Sequence, residues 1–415
     1  MQVSEAIDKK RRASIGWLAL AGLVAQLPAT VLAHEGHAPG SAMGKGKSAE
    51  LASSVAFDAN GDLWLAGKHG IGEDQYLGLQ LSRDLGKTWS APRNIQSLPE
   101  EVSADGENRP KLAFGPGNAV YISYTRPLSK PYTGEIRFLR SLDGGQTFLP
   151  AITVHANRQL ITHRFESMIV DRSGRIFIAW IDKRDMEAAL AKRQKYEGAA
   201  VYYAVSEDCG ASFKGDFKIA DHSCECCRIA LALNPQGEPV AMWRHVFEPN
   251  SRDHAMQVLR PDGKPGKISR ATFDDWRVDA CPHHGPSLAY GADGRRHQTW
   301  FNVKGEQGGI FYATADSGGR LGTPVQLGAA QAEHADVAVL GKKIVIVWKE
   351  FDGTATTIFA KISSDNGESW RQTALAATKG ASDQPRLAAS GKNIHLVWRT
   401  SADGILSVSA TTGET

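Results

Sequence analysis

A short pattern of apolar and polar positions recurs along the chain. Each copy is a strand-like run, a glycine-containing turn, and a second run closing on an aromatic, as in KLAFGPGNAVYISY, MIVDRSGRIFIAW, LALNPQGEPVAMW, VAVLGKKIVIVW and RLAASGKNIHLVW. The runs alternate or are wholly apolar over a few residues, which predicts strands buried between stacked sheets. The closing aromatics are Tyr121 or Tyr124, Trp180, Trp243, Trp348 and Trp398, and Trp64 and Trp300 hold the same place in two further units. Seven strand pairs result, beginning near Val55, Leu112, Met168, Ile229, Leu288, Val337 and Leu387. One stretch breaks the pattern. Arg184 to Tyr196 (RDMEAALAKRQKY) is rich in helix formers and predicts a helical insertion between the second and third strands of the third unit.

A second motif punctuates the strands: Ser/Thr-x-Asp-x-Gly-x-Thr/Ser-aromatic. It occurs as SRDLGKTW (Ser82 to Trp89), SLDGGQTF (Ser141 to Phe148), SEDCGASF (Ser206 to Phe213) and SSDNGESW (Ser363 to Trp370). TADSGGRL (Thr314 to Leu321) is a frayed copy, and RPDGKPGKI around Asp262 lies where a sixth would fall. The aspartates Asp84, Asp143, Asp208, Asp262, Asp316 and Asp365 are about 50 to 65 residues apart, the length of one propeller blade. An Asp carboxylate can accept turn amides, Gly can take positive φ, and the aromatic can pack between sheets.

These positions resemble the Asp-box (BNR) repeat of sialidases and related propellers, over nearly all of the chain after residue 50. The resemblance implies an all-β propeller of four-stranded blades, with the boxes structural and remote from the working face. The strand pairs count seven blades; catalytic sialidases have six, which is the alternative. The last unit runs out after Leu406 to Ala410 and lacks an outer strand, which a segment before Leu51 is expected to supply.

The N-terminus reads as an export signal. Lys9, Lys10, Arg11 and Arg12 precede an apolar stretch, Gly16 to Leu27, too short to span a bilayer, and Val31-Leu32-Ala33 fits a cleavage site. The expected organisation is a signal peptide over 1–33, a flexible segment over 34–50 and a propeller over 51–415. Cleavage after Ala33 would expose His34-Glu35-Gly36-His37, an amine and two imidazoles suited to Cu(II). The expected location is periplasmic or secreted, as a monomer with no membrane span after cleavage. A formal net charge of +3 gives no nucleic-acid or membrane reading.

Strand order sorts the chemistry. Nine of 13 histidines and four of five cysteines fall in loops that share one predicted face, and only Cys209 sits in a box on the other. The densest segments are DHSCECCR (Asp221 to Arg228) and DACPHHGP (Asp279 to Pro286), which open adjacent blades. Thiolate with imidazole suits copper or zinc, copper being favoured. The candidate ligands are Cys226, Cys227, His283 and His284, then Cys224, Cys281, His163 and His222. In an exported chain the same cysteines could instead form two disulfides pinning the two blades. A metal ion or small ligand is the expected partner, with a periplasmic protein as a further one.

The sialidase resemblance implies three arginines around a substrate carboxylate, a Tyr–Glu nucleophile and an Asp acid/base. Arg109, Arg164, Arg228 and Arg386 start inner strands, and Arg126, Arg244 and Arg399 end second strands nearby. Asp182 and Asp185 are candidate acids. No Tyr–Glu pair is placed, and the Phe/Tyr-Arg-Ile-Pro motif is incomplete in CRIA (Cys227 to Ala230) and NRPK (Asn108 to Lys111). Three readings follow: a non-hydrolytic metal-binding propeller, an exo-sialidase-like hydrolase, and a disulfide-pinned scaffold for protein or glycan.

Overall fold

A computed structural model describes residues 50–411 apart from 71–73, 279–281, 305–306 and 392. The signal peptide, the His34–His37 motif, the segment expected to close the ring, and Cys281 all lie outside the described residues.

The chain is a seven-bladed β-propeller of antiparallel sheets. The inner strands are Ser53–Phe57, Lys111–Phe114, His163–Val170, Ala230–Leu233, Ser287–Tyr290, Glu333–Leu340 and Arg386–Ser390. They touch one another in cyclic order around a central channel. Six blades have four strands, and the seventh has three among the described residues. The seventh blade meets the first by packing and hydrogen bonds. Leu63 and Leu65 cluster with Ala388 and Val397, and the Ser53 amide and hydroxyl donate to Asp383 at 3.0 and 3.2 Å.

The closing tryptophans explain why the blades stack. Trp180, Trp243, Trp300, Trp348 and Trp398 are each at most 1% exposed. Burying such a ring removes about 150–250 Å² from water, roughly 4–6 kcal/mol on an area basis. Each indole also directs its N–H to a polar group toward the loops, as Trp180 does to Asp182 (2.9 Å) and Trp348 to Glu350 (2.7 Å). A tryptophan at the end of a second strand therefore fills the core and anchors the loop beyond it.

Four corners built on the repeated motif share one set of bonds. The Ser hydroxyl (Ser82, Ser141, Ser206, Ser363) donates to the Asp at 2.6–2.8 Å. It accepts the Gly amide at 2.7–2.8 Å. The same carboxylate accepts the following Thr or Ser amide at 2.9–3.0 Å. Glycine is required there: Gly145 and Gly210 have φ of +78° and +80°, and a Cβ would meet Trp64 or Phe138 of the preceding blade at 2.8 and 2.4 Å. Asp316 keeps only part of this pattern, bonding the Arg320 amide at 2.9 Å, and Asp262 accepts the Lys264 amide at 3.2 Å.

The helix in the third blade spans Arg184–Ala191, a turn shorter than the sequence suggests, because Arg193 takes positive φ (57°) and ends it. It hangs between Ile176–Asp182 and Ala199–Ser206, as the insertion reading requires.

Candidate metal centre at the channel mouth

The loops entering each inner strand meet at one end of the channel, opposite the repeated corners. Below the mouth is a cavity of about 240 Å³ whose lining includes Arg109, Lys111, Arg228, Asp336 and Arg386. Three of the candidate arginines, Arg109, Arg228 and Arg386, therefore line one cavity, but their charges are largely taken. Arg109 is 1% exposed and holds Asp383 through two bonds of 3.0 and 2.8 Å. Arg228 holds Glu107 at 3.0 and 3.1 Å and donates to the carbonyls of Pro286 and Ala335. Arg386 lies 3.9 Å from Asp336. Burial and the charges of Arg109 and Arg228 push its guanidinium down to about 9. Arg164 pairs with Asp105 at 3.1 Å. Deeper in, burial pushes the Lys111 ammonium down and the Glu166 carboxyl up, each opposed by the other.

Asp182 is sealed rather than presented. It is 0% exposed and accepts Trp180 Nε1, the Arg184 amide and both ends of the Arg184 guanidinium. His163 sits beside it, 3.6 Å from Asp182 Oδ2, stacked on His155 with ring centres 3.9 Å apart. Burial pushes both imidazoles down, His155 to about 3. Asp185 accepts the Tyr202 hydroxyl and Lys218.

Three of the predicted metal ligands come together. The segment after Lys214–Ser223 turns sharply, its Cys224 amide donating to Arg244 O at 2.9 Å. The sulfurs of Cys224, Cys226 and Cys227 then lie within 4.8 Å of one another, with Cys224 3.2 Å from Cys227 and 3.7 Å from Cys226. All three are buried in the core between the third and fourth blades, beside Ile229, Val201 and Trp243. None of the three is joined in a disulfide, and neither is Cys209 in its exposed corner. Burial and neighbouring Cys224 push the Cys227 thiol well up, while the Arg244 guanidinium pulls the other way.

Arg244 is the unexpected member of this site. It is 1% exposed and donates to the carbonyls of Arg252, His284 and Phe301, but no carboxylate pairs with it among the described residues. Its Nε has no hydrogen-bond partner. A buried unpaired cation is costly unless an anion joins it. His254 is 0% exposed nearby, with Nε2 unpartnered, and burial, then Arg244, holds its imidazole well below the usual range.

Among the described residues, the predicted histidine ligands do not join the sulfur group. His222 packs on Tyr196 (4.8 Å) and shares a hydrogen bond with Glu197 O. His283 is exposed, with φ of 53°. His284 stacks on Phe301 (4.1 Å) and lies 4.5 Å from the ring of His334. With Glu333 and His334 it forms a second group whose ligand atoms lie within 4.8 Å. Glu107 and Glu333 escaped the sequence reading because nothing in DGENRPK or QAEHAD marks an acid as other than a surface charge.

No family model matches this chain, and no curated protein matches it either. Solved structures of similar shape exist. A protein of unknown function from Dyadobacter fermentans is 17% identical, with a TM-score of 0.52 over 75% of this chain and 93% of that one. The polysaccharide lyase Uly1 is 10% identical, with a TM-score of 0.55 over 90% and 93%. An ulvan lyase from a new polysaccharide lyase family, bound to -[GlcA(1-4)Rha3S]-, is 10% identical, with a TM-score of 0.53 over 85% and 91%. At these identities the likeness is one of fold.

Proposed function

We propose that this chain is an exported, non-hydrolytic propeller that binds a soft transition metal, copper in its Cu(I) state, at Cys224, Cys226 and Cys227. One observation carries the reading: three buried sulfurs within 4.8 Å of one another, beside a buried guanidinium that has no carboxylate partner among the described residues. Soft thiolates select Cu(I) over hard cations. Each ligating thiol releases a proton to solvent as the metal enters. The resulting anionic centre would supply the counter-charge that Arg244 lacks. The arginine rim argues against the hydrolase alternative, since Arg109 is already bidentate to Asp383 and Arg228 spends Nη1 on both oxygens of Glu107 and its other nitrogens on the Pro286 and Ala335 carbonyls. A clamp for a substrate carboxylate needs unspent guanidinium donors.

The test is an anaerobic Cu(I) titration of reduced, untagged protein against a competing chelator. One tightly held copper is expected in wild type, and its loss in both Cys226→Ser and Cys227→Ser. Affinity should rise with pH, because the metal displaces protons from the thiols, and burial holds that of Cys227 above its ordinary range. Arg244→Met should weaken copper binding more than Arg244→Lys. Wild-type protein that releases all its copper to the chelator would overturn the reading. Thiol counting in denaturant, before and after reduction, reads the scaffold alternative, in which all four rim cysteines, Cys224, Cys226, Cys227 and Cys281, would be oxidised.

A further inference from the structure

The second group of ligands lies outside the sulfur site and has its own logic. Glu333 and His334 are neighbours in the chain at the head of Glu333–Leu340. A regular strand would send them to opposite faces. Here the pairing with the next strand slips between Glu333 and Asp336, and His334 takes positive φ (53°). That bulge turns both side chains to one side, where they meet His284 from the preceding blade.

Each side chain is held in a pose suited to a cation. Glu333 Oε1 is held by Lys349 at 3.1 Å, which leaves Oε2 toward His334 Nε2 at 3.6 Å. On its other edge His334 Nδ1 faces Glu107 Oε1 at 3.4 Å. Glu107 is itself fixed by Arg228, Gln384 and the Gly285 amide. A carboxylate behind one imidazole nitrogen, with the other turned to a ligand cluster, is the arrangement that orients metal-binding histidines. Among the described residues, the Nδ1 atom of His284 is buried without a hydrogen-bond partner. Ring against ring, with no bond between them, is a poor resting state for two imidazoles unless a shared ligand joins them.

We infer that His284, Glu333 and His334 form a second metal site, for a borderline divalent cation of the zinc class, with one coordination position open to the channel mouth. Two imidazoles and one carboxylate give three protein ligands and leave a divalent ion one net positive charge. Such sites keep a fourth position for water or an anionic ligand. The inference goes beyond the copper reading, since the two sites share no ligand and differ in donor softness.

Cobalt(II) substitution tests it on the full chain. Wild type should show the visible bands of a tetrahedral cobalt site, and titrated zinc should abolish them. Glu333→Gln and His334→Gln should each remove these bands and weaken zinc binding by about tenfold or more. Glu333 is partly exposed, at 32%, so its variant should fold whatever becomes of the other. The bands should survive in Cys226→Ala/Cys227→Ala, in which any sulfur-to-cobalt charge transfer is lost. Bands that persist in both Glu333→Gln and His334→Gln, or that vanish in the cysteine variant, would overturn the second site. Failure of the copper reading would leave the Glu333-dependent signal in place.

Discussion

The two faces of this propeller are built by opposite rules. On the corner face, one set of bonds recurs in four blades, each spanning at most four residues, as from Ser141 to Gly145. On the mouth face, nearly every strong contact occurs once and spans the ring. Arg109 reaches Asp383 across 274 residues, and Glu107 reaches Arg228 across 121. The comparison shows where a repeat fold can afford singular chemistry. The corners fix each blade locally, so the loops at the other end can carry buried charges, thiols and imidazoles that no single blade could satisfy.

The largest expected consequence is in acid. Among the described residues burial lowers nine imidazoles, and seven of them (His69, His155, His163, His245, His254, His284 and His334) stand at the mouth end. A depressed histidine contributes stability that is present above about pH 6.5 and lost as pH falls through its folded value. His69 and His245 are held at about 4 and His155 at about 3, so this loss should run from about pH 6.5 down to 3. The corner carboxylates act lower. Bonds from Thr88 hold Asp84 at about 2, and bonds from Ser212 outweigh burial to hold Asp208 at about 2. Their contribution is present above about pH 4 and lost toward 2. Denaturant unfolding across pH 7 to 4 should therefore show stability falling steadily. A flat profile to pH 4 followed by collapse would move the acid lability to the corners.

Next in size is the ring-closing ion pair. Arg109→Met should cost about 3–5 kcal/mol, because it leaves the Asp383 carboxylate buried and unpaired. Asp383→Asn in the same chain should recover much of that loss. Denaturant midpoints of the two single variants and the double variant give the coupling. A loss below about 1 kcal/mol for Arg109→Met would mean that the first and seventh blades are held by packing alone.

The corner face was legible in the sequence because its chemistry is local. Serine, aspartate, glycine and threonine within seven residues specify the bonds they make, and the strand–turn–strand pattern counted the blades. The grouping of Cys224, Cys226 and Cys227 was legible for the same reason. The rest of the mouth was not. His284 was read with the sulfurs because both open adjacent blades, yet it meets His334, since the bulge at Glu333 redirects a strand that period-two reasoning leaves straight. Asp182 and His163 fell on the right face but under Trp180, at a depth that strand order does not encode. Arg244 looked like one more rim arginine; what distinguishes it is that no carboxylate pairs with it among the described residues, which only three dimensions reveal.

The smallest effects sharpen the contrast most. Ser141 is 1% exposed, and Ser141→Ala strands the Gly145 amide, so about 1–2 kcal/mol should be lost. Ser206→Ala should cost about the same in the next blade, for the same reason. The two hydroxyls share no partner, so the double variant should equal the sum within about 0.5 kcal/mol. At the mouth the same arithmetic should fail. Gln384 accepts from both Arg109 (3.0 Å) and Arg228 (3.3 Å) and donates to Glu107, so Arg109→Met and Arg228→Met draw on one network. Their double variant should depart from additivity by about 0.5 kcal/mol or more. Additive arginines, or coupled serines, would mean that the two faces do not differ in the way their bonds imply. The boundary between repeated scaffold and singular site would then have to be drawn elsewhere in the ring.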